Sequence, residues 1–164
     1  EIAIQSSLTG HLVFSTLHTN DAASAVTRLT DMGIESFLVS SSIIAIIAQR
    51  LVRVLCEKCK EPYRPDGAAL AELGKEGRLL EGREIFRHRG CPDCLNTGYR
   101  GRNAIFEMMV LGDSLKRLVS GTSDANVIRE AAVRGGMRSL KEDGVRKILE
   151  GLTTVEEVMR MTMA

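Results

Sequence analysis

Gly90-Cys91-Pro92-Asp93-Cys94-Leu95-Asn96-Thr97-Gly98 is the stretch from which the chain is best organised. Its partner lies upstream, at Cys56-Glu57-Lys58-Cys59. The chain has four cysteines, and all of them fall in these two Cys-x-x-Cys pairs. Two intervening residues let a tight turn aim both sulfurs at one point. Two such turns make a four-sulfur cage, which zinc most often fills. Gly98 is free to twist the backbone and pass amide groups near the sulfurs. The intervening stretch, 60–90, is 31 residues long. The compact motif has roughly 15 to 20, so a small insertion is expected in the loop. The competing readings are reduced thiols, disulfides in a secreted protein, or a redox pair. A redox pair opens a helix; here Pro62 follows the first pair and Gly98 the second, a poor setting for a helix start.

At 164 residues the chain is long enough for one ordinary domain or two small ones. Hydrophobic content of 44% and charged content of 26% are those of a soluble globular protein. The net charge is +1. Four thiolates around one Zn²⁺ would shift it to about −1, so bulk charge predicts no polyanion partner. Aromatic residues make up only 4%, leaving few platforms for stacked bases. A thiolate site needs a reducing compartment. The chain opens Glu1-Ile2-Ala3-Ile4-Gln5, with no initiator Met or basic leader, and reads as a piece of a longer protein. The run Ser36 to Gln49, free of charged side chains and of histidine, has 14 residues. A membrane span needs about 20, so a buried helix is expected there, and any membrane attachment would be peripheral.

The expected elements run as follows. Residues 1–10 end a helix closed by Gly10. His11 to Leu17 suits a buried strand. Asn20 or Asp21 caps a helix with Ala22, Ala25, Val26, Leu29 and Met32 on one stripe and Gly33 as its stop. A helix from Ser36 to about Gln49 and a strand over 51–55 follow. The insertion holds a short helix over 68–73 and a strand over 84–87. After a strand over 104–111, helices are expected over 114–120 (capped by Asp113), 124–134 (capped by Ser123) and 138–150. Thr154 and Glu157 form a capping box for the last helix. The expected domains are 1–55, 56–103 and 104–164, the last a compact helical domain.

His11 and His18 are seven residues apart, which puts them on opposite faces of one strand and argues against a shared metal. Thr16, His18, Thr19 and Asn20 would stand at the carboxyl end of that strand, where open α/β sheets bind ligands and a histidine can donate to phosphate. The bland alternative is that His11 satisfies a turn and His18 caps the next helix.

Leu8-Thr9-Gly10-His11-Leu12-Val13-Phe14-Ser15-Thr16-Leu17-His18-Thr19-Asn20-Asp21-Ala22 closely resembles the histidine box of bacterial secretion ATPases, the hexameric motors of type II secretion and type IV pilus assembly. Ala48-Gln49-Arg50-Leu51-Val52-Arg53-Val54-Leu55-Cys56-Glu57-Lys58-Cys59 resembles the family's entry into a four-cysteine metal domain, and Gly90 to Arg102 the exit. The similarity spans almost the whole chain, in order. Four cysteines favour the secretion and assembly branches over retraction motors. The resemblance implies an α/β fold: a partial RecA-like ATPase core, then a four-cysteine zinc-binding region, then a small all-helical C-terminal domain. It implies ATP and Mg²⁺ as cofactors in the full-length protein beside structural Zn²⁺. The implied assembly is a homo-hexamer, cytoplasmic and peripheral at the inner membrane, with membrane platform proteins as partners and acidic phospholipids as a further contact. His18 matches the γ-phosphate contact, His11 the box's other histidine, and Cys56, Cys59, Cys91 and Cys94 the metal ligands. The chain departs from the family in having no G-x-x-x-x-G-K-[ST] phosphate loop and no apolar strand ending in an Asp-Glu pair. It is therefore expected not to hydrolyse ATP by itself. The alternative from another class is a zinc-ribbon binding module, with Arg87, His88, Arg89, Arg100 and Arg102 meeting nucleic acid or a protein partner.

Overall fold

A computed structural model describes residues 2–163; Glu1, expected to belong to the first helix, lies outside the described residues. The chain is α/β, with eight α-helices and four strands among the described residues. It divides into two units, each assembled from two separated segments: 1–48 with 107–138, and 49–106 with 139–164.

The first unit begins with α1 (Ile2–Leu8) and α2 (Ala22–Asp31). Asp21 caps α2, its Oδ1 accepting from the Ser24 amide at 2.8 Å. Gly33, at φ +86°, takes the left-handed turn after the helix. Ala22, Ala23 and Val26 of α2 are buried, whereas Met32 lies beyond the helix and is exposed. Next comes α3 (Ser36–Ser42), shorter than the expected helix. The residues after it belong instead to a long strand, β1 (Ala45–Leu55). An apolar run of this length fits either state. Here Ile43, Ile44, Ile46 and Ile47 are all β-branched, which disfavours helix and suits a pleated surface. The expectation of a strand over 11–17 also fails, since residues 11–19 have no regular structure. No described strand pairs with them, and a strand takes its hydrogen bonds from a neighbour. The unit is completed by α5 (Asp113–Gly121) and α6 (Ala125–Arg134). α5 starts at Gly112 without a side-chain cap, and Asp124 rather than Ser123 caps α6. Leu115, Val119, Ile128 and Ala132 join Val26, Ile34 and Val39 in one apolar core.

The second unit contains the metal region. β2 (Glu61–Tyr63) pairs antiparallel with β3 (Ile85–Arg87), Pro62 opposite Phe86. Between them lie α4 (Gly67–Leu73), capped by Asp66, and a 3₁₀ stretch over 74–80. β4 (Tyr99–Val110) pairs with β1 in a second two-stranded sheet. α7 (Leu140–Leu149), capped by Ser139, and α8 (Val155–Thr162) follow. Their buried faces, Val145, Ile148, Val155 and Val158, close on Leu73, Leu80 and Ile85 of the insertion.

The helices after β4 are thus shared out, and the boundaries expected at 55 and 103 do not coincide with the units. The apolar stripes explain the division. Those of α5 and α6 are buried with α2 and α3, and those of α7 and α8 with the insertion. The expected capping box at α8 is half formed. Thr154 Oγ1 accepts from the Glu157 amide at 3.3 Å. The Glu157 carboxylate turns away and accepts from the Arg53 amide (3.0 Å), the Arg53 guanidinium (2.6 Å) and Arg160 (2.9 and 3.1 Å).

Two outcomes are expected. A Cβ added at Gly144 of α7 would lie 2.5 Å from Val158 Cγ1, so Gly144→Ala should cost about 1–3 kcal/mol despite alanine's better helix propensity. An unchanged urea midpoint would contradict this packing. Burial of Glu157 raises its carboxyl pKa, but Arg53 and Arg160 outweigh burial and hold it at about 2, against 4.5 unperturbed. This depressed folded pKa contributes stability above pH 4.5 that is lost as pH falls toward 2. Glu157→Gln should destabilise the protein by about 2 kcal/mol at pH 7, less than a fully buried pair would because both guanidinium groups reach solvent. It should also flatten the acid limb of the stability curve. Wild-type and variant urea midpoints that fall in parallel from pH 6 to 3 would refute the assignment.

Candidate metal centre and the histidine box

β1 delivers the first cysteine pair. Its end is fixed by the Leu55 amide donating to the Leu152 carbonyl at 2.8 Å and the Cys56 amide to the Gly98 carbonyl at 2.9 Å. The Cys59 and Lys60 amides then fold back onto the Cys56 carbonyl at 3.1 and 3.0 Å. The second pair sits on a short 3₁₀ turn, Pro92–Cys94. Leu95 (φ +53°) and Asn96 (φ +58°) follow in the left-handed region, rare for residues with a side chain. This bend lets the Asn96 amide reach the Cys91 carbonyl at 2.9 Å.

Gly98 (φ +76°) completes the turn, and its amide donates to Cys94 Sγ at 3.2 Å, as the sequence led us to expect. A Cβ on Gly98 would meet His88 Cβ at 2.6 Å, so glycine is required for space as well as for conformation.

The four sulfurs lie within 4.8 Å of one another. Cys56–Cys91, Cys59–Cys94 and Cys91–Cys94 separations are 3.9, 3.8 and 3.7 Å. A tetrahedral ion with metal–sulfur bonds of about 2.3 Å needs edges of about 3.8 Å. The donors therefore fit a tetrahedral metal ion, and four cysteines leave no open position for substrate. The cysteines are free, so no disulfide competes for the sulfurs.

The thiols differ in their local fields. Burial raises the Cys59 thiol to about 11. Burial also raises Cys94, but the amides of Cys91 and Gly98 donate to its sulfur and bring it down to about 6. Backbone N–H groups stabilise the thiolate, the form that binds metal.

The histidine box is built differently. His11 and His18 are both exposed, and neither joins the sulfur cluster. Thr9 Oγ1 lies 3.0 Å from His11 Nδ1, matching a turn-satisfying role. The cap of α2 falls to Asp21 rather than His18. Leu12 and Phe14 are 72% and 89% exposed, far from the buried strand expected.

Sequence reasoning did not point to Glu107 or to the Arg129 pairing of Asp21 at the box's far end. Glu107 is buried and its Oε1 accepts from the Ala22 amide at 2.9 Å; Asp21 also pairs with Arg129. The signal for Glu107 was available. It alternates with Ile105 and Met109 on the buried face of β4. Arg87 and Arg89, considered for nucleic acid, both pair with Glu61 at 3.3 and 3.1 Å, which reduces the charge they offer a phosphate.

Comparison with known proteins gives the class. Residues 1–160 match the model of the type II/IV secretion system protein family. Type II secretion system protein E of Pseudomonas aeruginosa is 53% identical over 163 residues, covering 99% of this chain and 32% of the relative. Type II secretion system ATPase E of Vibrio cholerae is 48% identical, with 99% and 32% covered. The type IV pilus assembly ATPase PilB of Thermus thermophilus is 45% identical, with 99% and 18% covered.

Among solved structures, the pilus retraction motor PilT with bound ADP superposes with a TM-score of 0.62 at 19% identity, over 98% of this chain and 35% of that one. The Legionella pneumophila ATPase DotB gives 0.59 at 18%, over 98% and 34%. These two show a shared fold. The chain belongs to the type II/IV secretion system protein family. It spans about a third or less of the length of these curated relatives. Among the described residues no helix is long and apolar enough to cross a membrane.

If the four thiols hold a metal that closes the 49–106 segment, Cys91→Ser should lose the ion and several kcal/mol, roughly 10 °C in Tm. Equal metal content and melting temperature in wild type and variant would rule this out.

Proposed function

We propose that this chain is the C-terminal part of a motor ATPase that uses ATP hydrolysis to drive type II protein secretion or type IV pilus assembly. What supports the reading is its near-complete match to relatives named as secretion and pilus assembly ATPases. On this reading residues 1–55 close a RecA-like core, 56–103 form the metal-binding insert, and 104–164 supply helices to both units. The metal is Zn²⁺, held by Cys56, Cys59, Cys91 and Cys94, and its role is structural because a four-sulfur site is closed to substrate.

The residues of this chain do not complete a nucleotide site. ATP and Mg²⁺ would be held by a phosphate loop and acidic residues elsewhere in the parent, and the chemistry they supply is phosphoryl transfer. From this chain His18 would donate a hydrogen bond to the γ-phosphate, with His11, 3.0 Å from Thr9 Oγ1, as the box's second histidine. Exposure of both rings is consistent with a surface completed by other parts of a homo-hexamer. Closure on ATP draws neighbouring subunits together. The metal-bearing unit rides on that motion and presses on inner-membrane platform proteins and acidic phospholipids from the cytoplasmic face.

His18→Ala in the full-length parent should lower ATP turnover by about 10²-fold, as for loss of one transition-state donor. ATP binding should change by no more than about threefold. An unchanged turnover rate would remove His18 from the nucleotide site.

A further inference from the structure

A cavity of about 450 Å³ is lined by Leu51 and Arg53 of β1, Arg102 of β4, and Arg160 and Met161 of α8. Three arginines thus line one opening. Beneath them Glu157, 1% exposed, bonds Arg53 and Arg160. Each guanidinium carries five N–H donors. Arg160 gives Nε and Nη2 to Glu157, and Arg53 gives Nη2, so both keep donors free for a ligand.

Two of the groups are already held. Arg53 lies over the Tyr99 ring at 4.1 Å, and the Tyr99 hydroxyl is fixed by Thr154 at 3.0 Å. Arg160 makes a two-point contact with Glu157. Orientation fixed in advance lowers the entropy cost of binding. The Arg102 side chain is exposed, and among the described residues it makes no hydrogen bond or ion pair.

Charge selects the ligand. Three arginines against one carboxylate leave a surplus of two positive charges. A carboxylate ligand would match only half of that. A phosphate monoester carries about −1.5 to −2 and offers three acceptor oxygens to guanidinium forks. We propose that the Arg53–Arg102–Arg160 cavity binds a dianionic phosphate monoester group, with Leu51 and Met161 against the organic part of the ligand. This site is separate from the cysteine cluster and the histidine box and does not depend on the motor reading. Its source is either a soluble phosphorylated molecule or a lipid headgroup ending in a phosphate monoester.

The test is a titration of the metal-loaded full chain with inorganic phosphate at constant ionic strength, read by NMR of the arginine side-chain Nε–H groups. Saturable shifts at Arg53, Arg102 and Arg160 are expected, absent with chloride. Affinity should weaken from pH 7.5 to 5.5 as phosphate becomes a monoanion. Arg102→Ala should weaken phosphate binding about tenfold, the loss of one charge-assisted contact. Its melting temperature should change little, because the exposed Arg102 side chain makes no hydrogen bond or ion pair among the described residues. Vesicles containing phosphatidic acid separate the sources. Co-sedimentation lost in Arg102→Ala assigns a lipid headgroup, and no co-sedimentation beside saturable phosphate binding assigns a soluble ligand. A non-saturating response, or equal phosphate affinity in wild type and Arg102→Ala, would overturn the proposal.

Discussion

Four thiols held within 4.8 Å of one another set the constraint on which the metal-bearing unit depends. Without a cation the arrangement defeats itself, since thiolates at such separations repel and each ionisation opposes the next. The backbone relieves this unevenly. The amides of Cys91 and Gly98 converge on Cys94, while Cys59 receives far less compensation and its thiol moves in the opposite direction. A divalent ion removes the conflict at once. The cluster also joins two turns separated by the whole insertion, so closing it closes the loop that carries β2, α4 and β3. That loop supplies Leu73, Leu80 and Ile85 to the core under α7 and α8. A local chemical requirement is thereby tied to a hydrophobic core whose members lie far apart in sequence.

The parts legible in the sequence are those specified locally. Cys-x-x-Cys is a self-contained turn, and the requirement for glycine at position 98 follows from the need to turn an amide onto a sulfur. The cap at Asp21 accepts a hydrogen bond from an amide only three residues on. Short-range hydrogen bonding also ends α2 at Gly33 and α6 at Gly135, within a residue or two of expectation. None of these depends on what the rest of the chain does.

What the sequence left undecided is non-local. Ser36 to Gln49 has no charge to mark an exposed face, so its period is hidden; the pairing of β1 with β4 makes it a strand from Ala45. His11 to Leu17 shows the converse. Its composition suits a strand, yet a strand is defined by the neighbour that accepts its hydrogen bonds, and none of the described strands stands beside it. On the proposed function that neighbour belongs to the remainder of a RecA-like core, and burial of Leu12 and Phe14 would accompany its arrival. Exposure of these side chains in the present chain is then a measure of the apolar area reserved for the parent. Two large apolar residues standing clear of any core are otherwise costly to solubility.

Glu157 shows how a local signal can be right about position and wrong about purpose. Three residues after a threonine cap, its side chain was expected to turn back and close the N-terminus of α8. Burial changes the balance of energies. A carboxylate at a solvated helix start gains about 0.3–1 kcal/mol from the macrodipole. A carboxylate removed from water loses several kcal/mol unless it is paired and hydrogen-bonded. Two guanidinium groups and a backbone amide meet that demand; the Ncap amide alone would not. Glu157 therefore follows the charges, and in doing so it links β1 to α8 and keeps Arg53 and Arg160 side by side. Two cations drawn together by one buried anion carry a net positive charge at the surface above it. Arg102 adds to that charge. An exposed arginine whose side chain makes no ion pair among the described residues, placed where two others are already held in position, is better explained by a ligand than by the architecture around it.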